Sequence, residues 1–172
     1  MIDSVFLNGT VGVGKSTVAE ALSTLEMKSG HRHAVIDLDH ISRAWPAPEG
    51  DRFNHELEMA NLRDLVANYR RAGVEHFIIA GVVEEASEVP RYEAALQSRG
   101  LLICRLEVDA AILARRLTMR HADNGPELEW HLQRAGKLAA ILRAASIDQL
   151  IVDNSRSSTR ETAGLVKEHA GW

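Results

Sequence analysis

The sequence predicts an α/β domain built on a mostly parallel sheet, and three observations carry that expectation. Short apolar runs alternate with stretches of helical periodicity from end to end. Each run is bounded by polar residues or glycine and is apolar on both faces, as buried central strands are. A glycine-rich loop ending in Lys15-Ser16 stands between the first apolar run and the first helix.

Strands are expected over residues 5–8, 34–38, 76–80, 101–108 and 149–152. The first helix, 15–28, starts at the glycine-rich loop. A second, 53–71, carries Leu57, Ala60, Leu62, Leu65, Val66 and Tyr69 and stops at Gly73. A third, 90–99, stops at Gly100. A fourth, 110–120, follows Asp109, an N-cap residue. A fifth, 127–145, is long and charged on one side. A sixth, 159–169, has Ser158 or Thr159 at its start and a polar face. The stretch 44–51 reads as a loop, because Pro46, Pro48 and Gly50 forbid a regular helix. A second polar loop covers 120–126. There are no repeats and no low-complexity tract, so 1–172 reads as one domain, with a lid around 116–128.

Composition narrows the function classes. The 172 residues are 45% hydrophobic and 26% charged, with a formal net charge of −4. That is ordinary for a soluble domain and marks neither a nucleic-acid nor a membrane surface. The single cysteine excludes an internal disulfide, and Cys104 lies in an apolar run as a buried structural thiol would. The eight histidines show no metal-ligand spacing, so no zinc site is expected. Asp3 and Asn8 interrupt the early apolar stretch, which argues against a secretory leader. No run reaches transmembrane length, and the expected compartment is the cytosol. The oligomeric state is open.

Gly9-Thr10-Val11-Gly12-Val13-Gly14-Lys15-Ser16 satisfies G-x-x-x-x-G-K-[ST], the phosphate-binding P-loop. Glycines let the backbone wrap a phosphate chain with N–H groups turned inward. The helix that follows adds the positive end of its dipole. Lys15 can reach the terminal phosphates, and the Ser16 hydroxyl can ligate Mg²⁺. Thr17 completes the expected nucleotide-binding stretch.

Ligands in open α/β sheets bind beyond the carboxyl ends of the strands, so the residues there are site candidates. Asp37 and Asp39 end the second strand, and period 2 puts both carboxylates on one face. Asp39 can take a proton from a substrate hydroxyl, hold Mg²⁺ through water, or merely cap the segment starting at His40. Arg43 shares a face with Asp39 if that segment is helical; it either orients the acceptor or is a surface partner of Asp39. Ala80 and Gly81 stand where many P-loop proteins carry an aspartate. Gly81 is expected to permit close backbone approach, and Glu84 is the first acid beyond it. Arg116 and Arg120 share a helix face and can close over a triphosphate, whereas Arg115 faces outward. Asp153, Asn154 and Ser155 can line the adenine or form a plain turn. Trp45 can cover an acceptor or simply pack.

The P-loop, the Asp37-Leu38-Asp39 strand end, the arginine-bearing lid and Val152-Asp153-Asn154-Ser155 together resemble the small P-loop kinases. That group includes adenylylsulfate kinases, chloramphenicol phosphotransferase, and gluconate and shikimate kinases. The resemblance covers the chain in order and spacing and is most specific at the P-loop. Asp37-Leu38-Asp39 is similar to the Asp-Gly-Asp of adenylylsulfate kinases, although the Asn and Arg spacing that follows there is not kept. The stretch 39–46 looks like the segment holding the catalytic Asp of chloramphenicol phosphotransferase. The resemblance implies a three-layer α/β/α P-loop sandwich with five parallel strands in the order 2-3-1-4-5, a mobile lid and Mg²⁺-ATP.

The expected activity is transfer of the γ-phosphoryl group of Mg²⁺-ATP to a small-molecule acceptor, at a hydroxyl. Lys15, Asp39, Arg116 and Arg120 are its catalytic candidates. Asp37, Asp39, Arg43, Trp45, Gly81 and Glu84 face the acceptor. A nucleoside monophosphate kinase is a weaker fit, since region 40–63 offers only Arg43, Arg52 and Arg63 as cations. The other alternative is an ATPase or switch acting on a protein partner. The sequence lacks Asn-Lys-x-Asp for guanine, and no strand-end carboxylate activates water at Ala80.

Overall fold

Apolar residues that alternate between the two faces of β1 (Ser4–Asn8) set the layering of the molecule. The computed structural model describes residues 1–51 and 53–172, so the sequence expectation on Arg52 lies outside the described residues. Val5 and Leu7 point into a core shared with α1 (Lys15–Ser29) and α7 (Thr159–Ala170), through Val18, Leu22, Ala163 and Val166. Phe6 points the other way, into a core shared with α3 (His55–Arg71) and α4 (Val89–Leu96), through Met59, Leu62, Val66 and Tyr92. Both sheet faces are therefore covered, which is why the strands read as continuous apolar runs rather than alternating ones.

The remaining strands are β2 (His33–Asp37), β3 (His76–Ala80), β4 (Leu101–Glu107) and β5 (Leu150–Asp153). All pairings are parallel, in the order β2-β3-β1-β4-β5. The architecture is the three-layer α/β/α sandwich that the resemblance implied. A four-residue helix, α2 (Leu38–Ile41), follows β2. A 3₁₀ turn, Ala86–Glu88, precedes α4, and α5 (Ala110–Arg120) and α6 (Gly125–Ala145) follow β4.

Local chemistry moves several helix ends from the expected positions. α6 starts at Gly125, shortening the expected 120–126 loop, because Asn124 accepts from Glu127 N at 3.2 Å and Pro126 is tolerated in a first turn. α3 starts two residues late: the Asp51 carboxylate accepts from His55 N at 2.7 Å and Glu56 N at 3.1 Å. α4 ends at Leu96 rather than at Arg99, since Gln97 takes a left-handed conformation at φ 48°. Cys104 is buried as expected, and burial, helped by the Asp148 charge, pushes its thiol up to about 12.

Asp3 locks the amino edge of the sheet. Its carboxylate accepts from Ser98 Oγ at 2.8 Å, and from Arg99 Nε, Arg70 Nη2 and Ser4 Oγ at 3.1 Å. Burial pushes its pKa up, but the bonds from Ser98, Arg99, Arg70 and Ser4 outweigh that and hold it below the usual carboxylate value. A lowered folded-state pKa stabilises the fold above the unfolded carboxylate value and loses that contribution as pH falls through the folded value. Asp3→Ala is expected to lower the unfolding free energy at pH 7 by about 2–3 kcal/mol, because several buried donors lose their acceptor. It should also flatten the acid limb of the stability curve. Urea denaturation at pH 7 and at about pH 3 checks both; a loss below about 0.5 kcal/mol at pH 7 would show the network to be dispensable.

Candidate active site

Two amide side chains shape the glycine-rich loop before any ligand arrives. Asn8, the last residue of β1, accepts from Gly9 N at 2.9 Å and from Val83 N at 3.2 Å, and donates to Val83 O at 3.2 Å. It ties the start of the loop to the segment beyond β3. Asn154 donates to Val13 O at 2.8 Å and accepts from Thr162 Oγ1 at 2.9 Å, holding the far end to α7. Gly14, at φ 101°, precedes α1 directly, and a Cβ there would meet Asn154 Nδ2 at 3.0 Å. Lys15 Nζ crosses the loop to Gly9 O at 2.8 Å and Thr10 O at 3.3 Å. Thr10 is buried, Val11 half-buried and Thr17 exposed.

Burial pulls the Lys15 pKa below the ordinary lysine value. The carboxylates of Asp39 and then Asp37 work against that, while the Arg120 charge adds to it. Three groups that the sequence placed in the site, Asp39, Asp37 and Arg120, therefore act electrostatically on the P-loop lysine.

β2 stops at Asp37, and Leu38 already begins α2. Asp37 and Asp39 consequently do not share a strand face; this corrects the period-2 expectation. The physical reason is capping. Asp37 Oδ1 accepts from Asp39 N at 3.1 Å and starts the helix, so the capping role left open for Asp39 belongs to Asp37. The other oxygen, Oδ2, accepts from Ser16 Oγ at 2.6 Å. A P-loop hydroxyl and a strand-end carboxylate thus meet at the ligand edge. Asp39 is exposed, one residue further along the helix. Arg43 is exposed and lies beyond the end of α2, so it does not share a helix face with Asp39.

The segment after β3 also differs from expectation. Gly81 is buried, and a Cβ there would stand 2.4 Å from Leu38 Cδ1 and 3.0 Å from Phe6 Cζ. The missing side chain makes room for Leu38 and Phe6. Glu84 is ion-paired with Arg134 of α6, whose guanidinium also lies 5.6 Å from the Phe53 ring centre. Trp45 is 93% exposed and packs on no core. Behind it, Asn54 donates to Ser42 O at 2.8 Å and Ala44 O at 3.0 Å, closing the 44–51 loop onto α2.

Glu58 of α3 was not expected in the site. Tyr92 Oη donates to it at 2.8 Å, and its pKa is raised, by burial first and also by the nearby Asp39 charge. Arg91 and His55 tie α3 to the start of α4 through Glu56 and Glu88, at 2.8 and 2.7 Å.

Over the P-loop, α5 places its two arginines differently. Arg116 is half-buried and donates to Val13 O at 3.3 Å and Asn154 O at 3.1 Å. It links the P-loop to the β5–α7 connection. Arg120 is exposed at the last turn of α5, and Arg115 faces solvent. Asp153 Oδ1 accepts from Ser155 N at 2.9 Å in a tight turn, and Ser155 Oγ accepts from Asp109 N at 2.8 Å.

The sheet order, the loop between β1 and α1, and the Ser16–Asp37 pair define the class of P-loop α/β domains. The chain matches the family model described as AAA domain over residues 5–130, and it belongs to that family. No curated protein matches the sequence. Among solved structures, the chain is similar to the tunicamycin resistance protein of Deinococcus radiodurans, at 20% identity and TM-score 0.67, covering 99% of this chain and 96% of that one. A gluconokinase from Sinorhizobium meliloti 1021 matches at 18% identity and TM-score 0.64, covering 98% and 91%. The shikimate kinase of Acinetobacter baumannii in complex with shikimate matches at 18% identity and TM-score 0.64, covering 99% and 94%. The resemblance to small P-loop kinases read from the sequence therefore holds across the whole fold. Among the described residues, no helix is long and apolar enough to cross a membrane.

Proposed function

We propose that this chain is a kinase that transfers the γ-phosphoryl group of Mg²⁺-ATP to a hydroxyl of a small acceptor. The observation that carries the reading is the bond from Ser16 Oγ to Asp37 Oδ2, set beside Lys15 and Asp39 at the carboxyl edge of the sheet. The kinases among the similar folds support it as analogy.

The residues fit the required groups. The hydroxyl of Ser16 and the carboxylate of Asp37 are hard oxygen donors suited to Mg²⁺, directly or through water. When bound, Mg²⁺ neutralises charge on the β- and γ-phosphates. Backbone N–H groups of 9–16 cradle the phosphates, and Lys15 leaves Gly9 O and Thr10 O to meet them. Arg116 flanks the base, and Arg120 reaches the transferred group as the lid around 116–128 closes. Asp39 accepts the acceptor proton. Arg43 and Trp45, both exposed, meet the acceptor as the lid closes.

The acceptor side carries Asp39, Glu58 and a Glu84 already paired with Arg134. That balance suits a hydroxylated acceptor better than one bearing a phosphate, which leaves the monophosphate-kinase alternative weaker. Ala80 ends β3 where a water-activating acid would sit, so the ATPase alternative is weaker too. Mg²⁺-ATP use fits a cytosolic enzyme. ATP consumption with and without a panel of polyols, sugars, hydroxy acids and hydroxylated antibiotics tests the reading. Turnover is expected to rise at least about tenfold with the right acceptor class. Fast turnover without any acceptor would favour the ATPase instead.

A further inference from the structure

Folding brings His121, Glu127 and His131 together across the turn from α5 to α6, with one donor atom of each within 4.8 Å of the others. The expectation of no zinc site rested on spacing among the histidines alone, whereas this cluster includes a carboxylate and a histidine from across the turn. Glu127 and His131 are four apart on α6 and share its face. His121 comes from the end of α5.

The distances suit a metal site at least as well as a loose ion pair. His121 Nδ1 and His131 Nε2 each lie 3.6 Å from Glu127 Oε1. That is too long for a charge-assisted hydrogen bond, which closes to about 2.7–2.9 Å. It is near the edge of a tetrahedron with metal–ligand bonds of about 2.0–2.1 Å, roughly 3.4 Å. The two rings stack at 4.4 Å. The nitrogens that would not bind the ion, His121 Nε2 and His131 Nδ1, are buried without a hydrogen-bond partner, so the outer orientation of this site comes through Glu127 and not through the rings. Asn124 Nδ2 donates to the other carboxylate oxygen at 2.7 Å, orienting Glu127 as an outer partner orients a metal ligand. Arg120, whose charge reaches His131, is an adverse neighbour of the site.

A second cluster provides the contrast. Glu26 accepts from His76 at 2.6 Å and His31 at 3.0 Å and is also paired with Lys167. Its carboxylate is already neutralised and fully bonded, so it is an ion-pair network.

We propose that His121, Glu127 and His131 bind one divalent ion of the zinc class, with a water or exogenous ligand in the fourth position, bracing the α5–α6 turn. The proposal does not depend on the kinase reading, because metal content is measured without turnover.

The test uses the full chain stripped with a chelator. Equilibrium dialysis against zinc is expected to give one ion per chain, with a dissociation constant at or below about 1 µM. Cobalt is expected to give the intense visible bands of a tetrahedral site. His131→Asn and Glu127→Gln should each weaken zinc binding at least about tenfold, and His76→Asn should not. Zinc should raise the melting temperature of the unmutated chain by several degrees and leave both variants unmoved. Sub-stoichiometric zinc in the unmutated chain overturns the proposal. So does zinc that survives both lid variants, or that is lost with His76→Asn. The cobalt spectrum of the unmutated chain decides the matter even if a variant fails to fold.

Discussion

Lys15→Ala is expected to lower phosphoryl transfer by a factor of about 10² or more. The expectation follows from where the ammonium sits. It bridges Gly9 O and Thr10 O across the P-loop, at the start of α1, where it can turn to the terminal phosphates. Alanine removes that charge and its two bonds to loop carbonyls, but leaves the loop's other ties in place. Asn8 still fixes the loop's beginning, and Asn154 still fixes its end through Val13 O. Alanine also favours the first turn of α1. The fold should therefore stay within about 1 kcal/mol of wild type. Initial rates under saturating ATP, alongside thermal melts of the same preparations, separate the two effects. Wild-type turnover in the variant would remove Lys15 from the site.

The fold was legible in the sequence because nearly all its instructions are local. Strand runs, helix periodicity and the P-loop lie within consecutive residues, and strand order followed from the family resemblance. The candidate site was legible only where its chemistry is local. The P-loop motif lies between β1 and α1 as the sequence placed it. The shared strand face expected of Asp37 and Asp39 failed, because capping by Asp37 ended β2 one residue before a strand-like apolar pattern did. Gly81 misled for another reason: its missing side chain serves Leu38, which packs against it only in three dimensions. Arg134 gave no signal at all, since its partner Glu84 is fifty residues away and its own surroundings read as a charged helix exterior. Glu58 was hidden in the same way, its raised pKa coming from burial against a neighbouring helix.

Asp39→Asn is expected to leave ATP affinity near normal while slowing phosphoryl transfer by roughly 10² to 10⁴. The two aspartates divide the work at the end of β2. Asp37 is held by Ser16 Oγ on one oxygen and by Asp39 N on the other, so it is placed for the metal and is not free to accept a proton from an acceptor. Asp39 is exposed one residue further on, and its charge is the largest of those supporting the protonated form of Lys15. Asparagine keeps its size and the backbone N–H that Asp37 caps, but it accepts no proton. It also removes the charge that holds the Lys15 pKa up, so Lys15 should deprotonate at lower pH and the alkaline limb of the rate profile should move the same way. Asp37→Asn should behave differently, raising the Mg²⁺ concentration needed for half-maximal rate, because a hard carboxylate ligand is lost. Calorimetric ATP binding, single-turnover rates against pH, and Mg²⁺ titrations on the same three proteins distinguish the roles. If transfer in Asp39→Asn stays within about threefold of wild type, Asp39 is a helix residue without a chemical role. The base would then have to be Asp37, released from Ser16 when nucleotide binds, or Glu84, released from Arg134 as the lid moves.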